Sequence, residues 1–156
     1  MPYRSAIRTA TAEDAARIRA IARAAYAKYV PRIGREPAPM VADFEGEIAA
    51  GRVVVIAREG VIQGYMIAWP EAGAYFIDNI AVEPTLQVRG LGRALMAHAE
   101  AEARRHHLSA IELYTNVAMR ENLAMYAHLG FIETRRVVEK GFSRVYLRWT
   151  LPANTS

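Results

Sequence analysis

The stretch that decides the fold is LQVRGLGRALM, Leu86 to Met96. Gly90 and Gly92 stand one residue apart, flanked by Arg89 and Arg93, and run directly into good helix formers. A helix N-terminus carries unpaired backbone N–H groups and the positive end of the helix dipole, so an anion is its natural guest. Immediately upstream, AYFIDNIAV (Ala74 to Val82) is rich in β-branched and aromatic residues and reads as a strand. Downstream, Leu91, Leu95, Ala99 and Ala103 recur every fourth residue, predicting a helix from Leu91 to about His107. AIELYT (Ala110 to Thr115) follows as a strand, so the quoted loop opens a strand–helix–strand crossover whose two strands should run parallel.

Working outward, RVVVIA (Arg52 to Ala57) and VIQGYMIAW (Val61 to Trp69) form a predicted antiparallel hairpin about the turn REG. Before it, Thr11 to Tyr29 reads as an amphipathic helix with Thr11 as N-cap and Pro31 as its stop. PRIGREPAPM (Pro31 to Met40) has loop composition, and a short helix bearing Phe44 and Ile48 ends at Gly51. Toward the C-terminus a helix from Arg120 to Leu129 closes at Gly130. FIETRRVVE and SRVYLRWTL then form a hairpin about Lys140-Gly141. The reading is α/β (α+β) in class: a mixed, mostly antiparallel central sheet of about six or seven strands with about four flanking helices. No repeat, low-complexity tract or linker interrupts residues 1–156, so one domain is expected.

Composition narrows the function. The 156 residues are 53% hydrophobic, enough for a sizeable core. No run reaches the roughly 18 apolar residues of a membrane span, and MPYRSAIRT has no secretory apolar core. The absence of cysteine removes disulfides, thiolate metal sites and a Cys nucleophile, and fits a cytoplasmic location. Twenty Lys and Arg are answered by sixteen Asp and Glu, without a block of like charge, so nucleic acid is not the expected partner. The histidines His98, His106, His107 and His128 have no ligand spacing, and no metal is expected.

Two glycine-loop readings fail. A dinucleotide fingerprint would need a third glycine where Leu95 stands, and the Lys-Ser/Thr of a P-loop is missing. Gln-x-x-Gly-x-Gly is satisfied by Gln87, Gly90 and Gly92, and NLAMYAHLGF (Asn122 to Phe131) supplies a late helix ending Tyr-x-x-x-Gly-Phe. With these two motifs, their separation and the order of elements, the chain resembles the GNAT-type N-acetyltransferase superfamily. The resemblance is strongest from about Ile77 to Phe131.

That resemblance implies acetyl-CoA as cosubstrate, with the pyrophosphate wrapped by Gln87, Val88, Arg89, Gly90, Leu91, Gly92 and Arg93. Glycine allows close approach of backbone to phosphate, and arginine adds charge-assisted bonds. It implies a splayed parallel strand pair at the cofactor, with main-chain N–H groups of Ile80, Ala81 and Val82 facing the thioester oxygen. Tyr126 matches the tyrosine that serves as general acid to the leaving thiolate; a phenol with pKa ~10 carries that proton at neutral pH. Relatives commonly place a pantetheine-binding asparagine where this chain has Met119, and Asn122, one turn before Tyr126, is the candidate to replace it. Asp78, a carboxylate in an apolar strand, is the candidate base, an anchor for the acceptor's positive charge, or one half of a structural ion pair.

The acceptor is the least specified part. Tyr26, Tyr29, Arg32, Arg35 and Phe44 form a candidate aromatic and basic wall, suited to an amine that carries a carboxylate or phosphate. A small-molecule acceptor is expected, with a protein N-terminus or lysine as the alternative, and homodimers are frequent in the superfamily. Two other classes compete: a non-catalytic acyl-CoA-binding module and a phosphate- or nucleic-acid-binding α/β domain.

Overall fold

A computed structural model describes residues 5–153. Seven strands form one sheet in the order β1-β2-β3-β4-β5-β7-β6. They are β1 (Ser5–Thr9), β2 (Val53–Arg58), β3 (Val61–Glu71), β4 (Ala74–Val82), β5 (Ala110–Asn116), β6 (Ile132–Glu139) and β7 (Phe142–Thr150). The β4–β5 ladder is parallel, while β1–β2, β2–β3, β5–β7 and β6–β7 are antiparallel. The helices are α1 (Ala15–Tyr26), the single turn α2 (Val30–Ile33), α3 (Phe44–Ala49), α4 (Leu91–Arg105) and α5 (Arg120–His128). The mixed, mostly antiparallel sheet read from the sequence is therefore the one the chain forms.

Four local readings need correction. β1 was not anticipated: SAIRT pairs in register with β2 from Ser5↔Arg58 to Thr9↔Val54. None of its side chains from Ala6 to Thr9 is buried, so main-chain pairing rather than an apolar pattern defines it. Thr11 opens a 3₁₀ turn, Ala12–Asp14, and the α-helix starts only at Ala15. Pro31 does not end a helix but lies in the first turn of α2, where its missing N–H has no intrahelical partner to lose. The segment read as open loop also contains a 3₁₀ turn, Ala38–Val41.

The chain divides into two compact units. The first takes the chain up to Ala68 together with Asp78–His98. Its core holds Ile18, Ile21 and Ala22 of α1, Phe44 of α3, Val55 and Ile56 of β2, and Tyr65 and Ile67 of β3, all fully buried. Each large side chain there contributes about 1.5–3 kcal/mol by leaving water. Gly64 of β3 admits the end of β4: a Cβ on it would stand 3.0 Å from the Ala81 carbonyl oxygen and 3.3 Å from a Val82 methyl. The second unit takes Trp69–Ile77 and the chain from Ala99. Ala99 and Ala103 of α4, Ile111 and Leu113 of β5, and Val145 and Leu147 of β7 are buried in its core.

Candidate active site

In the first unit, the end of β4 exposes a strand edge. The ladder to β5 runs from Ala74↔Ala110 to Ile77↔Leu113, although β4 continues to Val82 and β5 to Asn116. Glu83 N–H reaches the Gln63 carbonyl of β3 at 2.8 Å, and the Ala81 carbonyl lies against Gly64 of the same strand. Main-chain polar groups alternate along a strand, so those of Ile80 and Val82 point to the opposite edge. On that edge the Tyr26 hydroxyl donates to the Ile80 carbonyl at 2.8 Å.

From β4 the chain enters a 3₁₀ turn, Pro84–Arg89, which starts with the Leu86 N–H on the Glu83 carbonyl at 2.8 Å. The side chains of Gln87, Val88 and Arg89 lie outside the described residues. Gly90 turns the chain with φ +77, a conformation that disfavours any Cβ. Leu91 then opens α4, whose first turn carries no acidic residue and whose Ala94 N–H bonds the Gly90 carbonyl at 3.0 Å. Helix geometry leaves the N–H groups of Leu91, Gly92 and Arg93 without intrahelical acceptors. Arg93 is exposed, and Leu91 is buried and anchors the turn.

Gly92 separates a fold requirement from a ligand requirement. Its φ is not in the left-handed region, and a Cβ built on it meets no protein atom within 4 Å. Glycine in a helix costs about 0.5–1 kcal/mol relative to alanine. Among the described residues nothing packs against that position, and bare backbone at a helix N-terminus suits the close approach of an anion. The loop thus offers bare helix N-terminal backbone to an anion.

In the second unit, Tyr126 is buried near the end of α5, and the motif that contains it is a helix stop. The Gly130 N–H bonds the Ala127 carbonyl and the Phe131 N–H bonds the Tyr126 carbonyl, both at 3.0 Å. Gly130 adopts φ +102, and the Phe131 ring meets the Tyr126 ring edge-on at 5.5 Å. These are the paired hydrogen bonds and the apolar contact of a Schellman motif, so Tyr-x-x-x-Gly-Phe fixes the tyrosine at a capped helix end. Met119, buried at the start of α5, accepts at its sulfur from the Thr115 hydroxyl at 3.4 Å and the Asn122 amide at 3.7 Å. The amide of Asn122 is thereby turned toward Met119.

Asp78 is half-buried on β4, and its charge adds to the burial that raises the Tyr65 phenol above its ordinary range. The acceptor-wall candidates separate into two groups. Tyr26, Tyr29 and Phe44 are buried, with Phe44 edge-on to Tyr65 at 5.8 Å and offering no surface to a ligand. Arg32 and Arg35 are exposed, and the Arg32 guanidinium lies 5.4 Å from the Tyr29 ring centre. Sequence reasoning missed Asn79, a buried amide whose Oδ1 accepts from the Tyr65 hydroxyl at 2.7 Å and whose Nδ2 donates to the Pro39 carbonyl at 3.0 Å. The available signal was a carboxamide beside Asp78 in a mostly apolar strand. Among the described residues, no group of three or more His, Asp or Glu side chains could hold a metal. No helix among them is long and apolar enough to cross a membrane.

The sequence profile of the acetyltransferase (GNAT) family matches residues 15–131. Among solved structures, the chain is similar to the PaiA N-acetyltransferase of Thermoplasma acidophilum in complex with coenzyme A. That pair has a TM-score of 0.76 and 13% identity, covering 95% of this chain and 99% of the other. Ard1 from Thermoplasma volcanium superposes with a TM-score of 0.73 at 16% identity, covering 96% and 99% of the two chains. The ribosomal-protein-S18-alanine N-acetyltransferase of Escherichia coli gives 0.72 at 19% identity, covering 97% of each. No curated protein sequence matches the chain.

Proposed function

The chain belongs to the acetyltransferase (GNAT) family, and we propose that it moves the acetyl group of acetyl-CoA directly to a primary amine of a small molecule. The observation that carries this reading is Gly92, a glycine in the first turn of α4 where a Cβ would meet no described atom within 4 Å and no left-handed φ calls for glycine. The first-turn N–H groups of α4, with Arg89 and Arg93, hold the pyrophosphate by the helix dipole and charge-assisted bonds. The PaiA protein, solved with coenzyme A, supports the choice of ligand.

Acetyl-CoA supplies the acyl group as a thioester. The chain's part is to place hydrogen-bond donors where charge grows and to manage two protons. Main-chain N–H groups on the Ile80 and Val82 edge of β4 face the thioester oxygen, with Ala81 between them. Asp78 accepts the proton the amine must lose, directly or through a water. A C–N bond forms as the C–S bond breaks, and Tyr126 gives its phenolic proton to the departing sulfur. Asn122 borders the pantetheine arm. Arg32 and Arg35 attract a carboxylate or phosphate on the acceptor, with the Tyr29 ring against Arg32 and Tyr26 and Phe44 buried in the unit's core.

Calorimetric titration of acetyl-CoA tests the reading first, followed by thiol release with spermidine, kanamycin, free amino acids and the tripeptide Ala-Ala-Ala. Saturable micromolar binding and release with one of the small amines are expected. Replacing Tyr126 by Phe keeps the ring against Phe131. It should lower kcat about a hundredfold, within the range of general acid catalysis, while binding of acetyl-CoA changes little. Binding without release, unaltered in that variant, would make the chain an acyl-CoA-binding module. Release with the tripeptide alone would move the acceptor to protein N-termini. No binding to folded protein would remove the transferase reading.

A further inference from the structure

We infer that Asn79 is a positioning residue for acetyl transfer, holding the segment around Pro39 at a fixed distance from the strand edge that faces the thioester. The inference rests on the transferase reading and adds a residue to it. Asn79 is buried and both ends of its amide are engaged: Oδ1 accepts from the Tyr65 hydroxyl at 2.7 Å, and Nδ2 donates to the Pro39 carbonyl at 3.0 Å. Tyr65 is itself fully buried, so its hydroxyl orients the amide without competition from water. The next residue along β4 is Ile80, whose carbonyl is held by Tyr26 from the end of α1. Two adjacent residues of β4 therefore fasten, by one hydrogen bond each, the two stretches that flank Arg32 and Arg35.

The Pro39 tether fastens the 3₁₀ turn Ala38–Val41 to a different element, β4. At the 3₁₀ turn Ala38–Val41 the Met40 N–H bonds the Pro37 carbonyl at 3.0 Å. Pro37 and Pro39 have no N–H to contribute. Asn79 adds to this turn a side-chain hydrogen bond from β4. Reacting groups must be held at near-contact distance, and small displacements cost rate heavily. Losing the tether is therefore expected to be felt as weaker use of the acceptor, with the coenzyme loop on α4 untouched.

Replacing Asn79 by Leu alone strands the Tyr65 hydroxyl and risks the fold. The paired variant Asn79→Leu with Tyr65→Phe removes both buried polar partners and substitutes apolar groups, which is close to neutral for stability. Three readouts are compared with wild type: melting temperature, calorimetric affinity for acetyl-CoA, and hydrogen exchange of residues 38–41. Kinetics follow, with whichever of spermidine, kanamycin and Ala-Ala-Ala the wild type acetylates fastest. The expected result is a KM for the amine raised about tenfold, faster exchange at Met40, and acetyl-CoA affinity and melting temperature close to wild type. An unchanged amine KM or unchanged exchange overturns the positioning role and leaves Asn79 as a packing element. Failure of folded wild type to bind acetyl-CoA overturns the transferase reading beneath it, and the role with it.

Discussion

At the scale of single residues, the two glycines of the loop do different work, and alanine distinguishes them. At Gly90 the backbone sits at φ +77, so a Cβ introduces strain of about 1–2 kcal/mol whatever binds nearby. At Gly92 a Cβ meets no atom within 4 Å and is free of left-handed strain, so the helix gains roughly 0.5–1 kcal/mol from alanine. Gly92→Ala is therefore expected to melt about 1–3 °C higher than wild type while binding acetyl-CoA at least tenfold more weakly. Scanning calorimetry and titration calorimetry on the same preparation check both halves. An alanine variant that binds as well as wild type would return Gly92 to the status of an ordinary helix residue and take the anion site with it.

At the scale of elements, the helix ends carry the polar chemistry. Arg8 of β1 grips Asp14 at 2.8 and 3.1 Å, the Thr11 N–H adds a bond of 2.8 Å, and the Asp14 carboxyl is held down at about 2. The Arg8 bond is the largest cause, and burial opposes it. Because the folded pKa lies below the ordinary value of 3.8, the contribution is complete above that value and lost as pH falls toward about 2. The shift corresponds to roughly 2 kcal/mol, discounted to about 1–2 because the Arg8 side chain is 47% exposed. Asp14→Asn should lower the urea midpoint at pH 7, and the gap to wild type should narrow as pH falls through 3.8 and close toward about 2; a gap independent of pH would assign the effect to packing. The end of α5 gives a second case. Gly130 has φ +102, and a Cβ there would stand 3.2 Å from Nε1 of Trp149, so Gly130→Ala faces strain and crowding together. It is expected to cost about 1–3 kcal/mol and to lower kcat by displacing Tyr126, measured by urea unfolding and thiol release. A stable, fully active variant would show that the cap does not set the tyrosine. These ends also show why β2 to β5, α4 and α5 were legible in the sequence: apolar period and glycine stops are local signals. β1, with no buried side chain from Ala6 to Thr9, has no such signal, and α2 is hidden because proline reads as a stop unless its position in the first turn is known.

At the scale of the whole molecule, the same distinction governs the site. The loop and the helix entrance were readable because neighbouring residues define them, whereas Asn79 bonds partners 14 and 40 residues away, a pairing no local pattern records. Charge is likewise a property of the whole. The net +4 is carried on a surface where arginines meet carboxylates, as in Arg19–Glu45, Arg105–Glu102, Arg136–Glu133 and Arg148–Glu112. The exposed ones among these pairs add little stability, and each pairs an arginine that a nucleic-acid backbone would otherwise attract. A ligand whose phosphates dock at one helix N-terminus makes few ionic contacts, so its binding should weaken only modestly with salt. Acetyl-CoA at about a hundred times its Kd should stabilise the folded chain by about 2.7 kcal/mol, and the melting temperature should rise by roughly 5–10 °C. A single-stranded oligonucleotide at the same phosphate concentration should leave the melting temperature unchanged in 50 and 200 mM salt. Scanning calorimetry at the two salt concentrations separates the cases. A rise with the oligonucleotide that vanishes at the higher salt, and none with acetyl-CoA, would make the glycine loop a general phosphate contact instead of a coenzyme site.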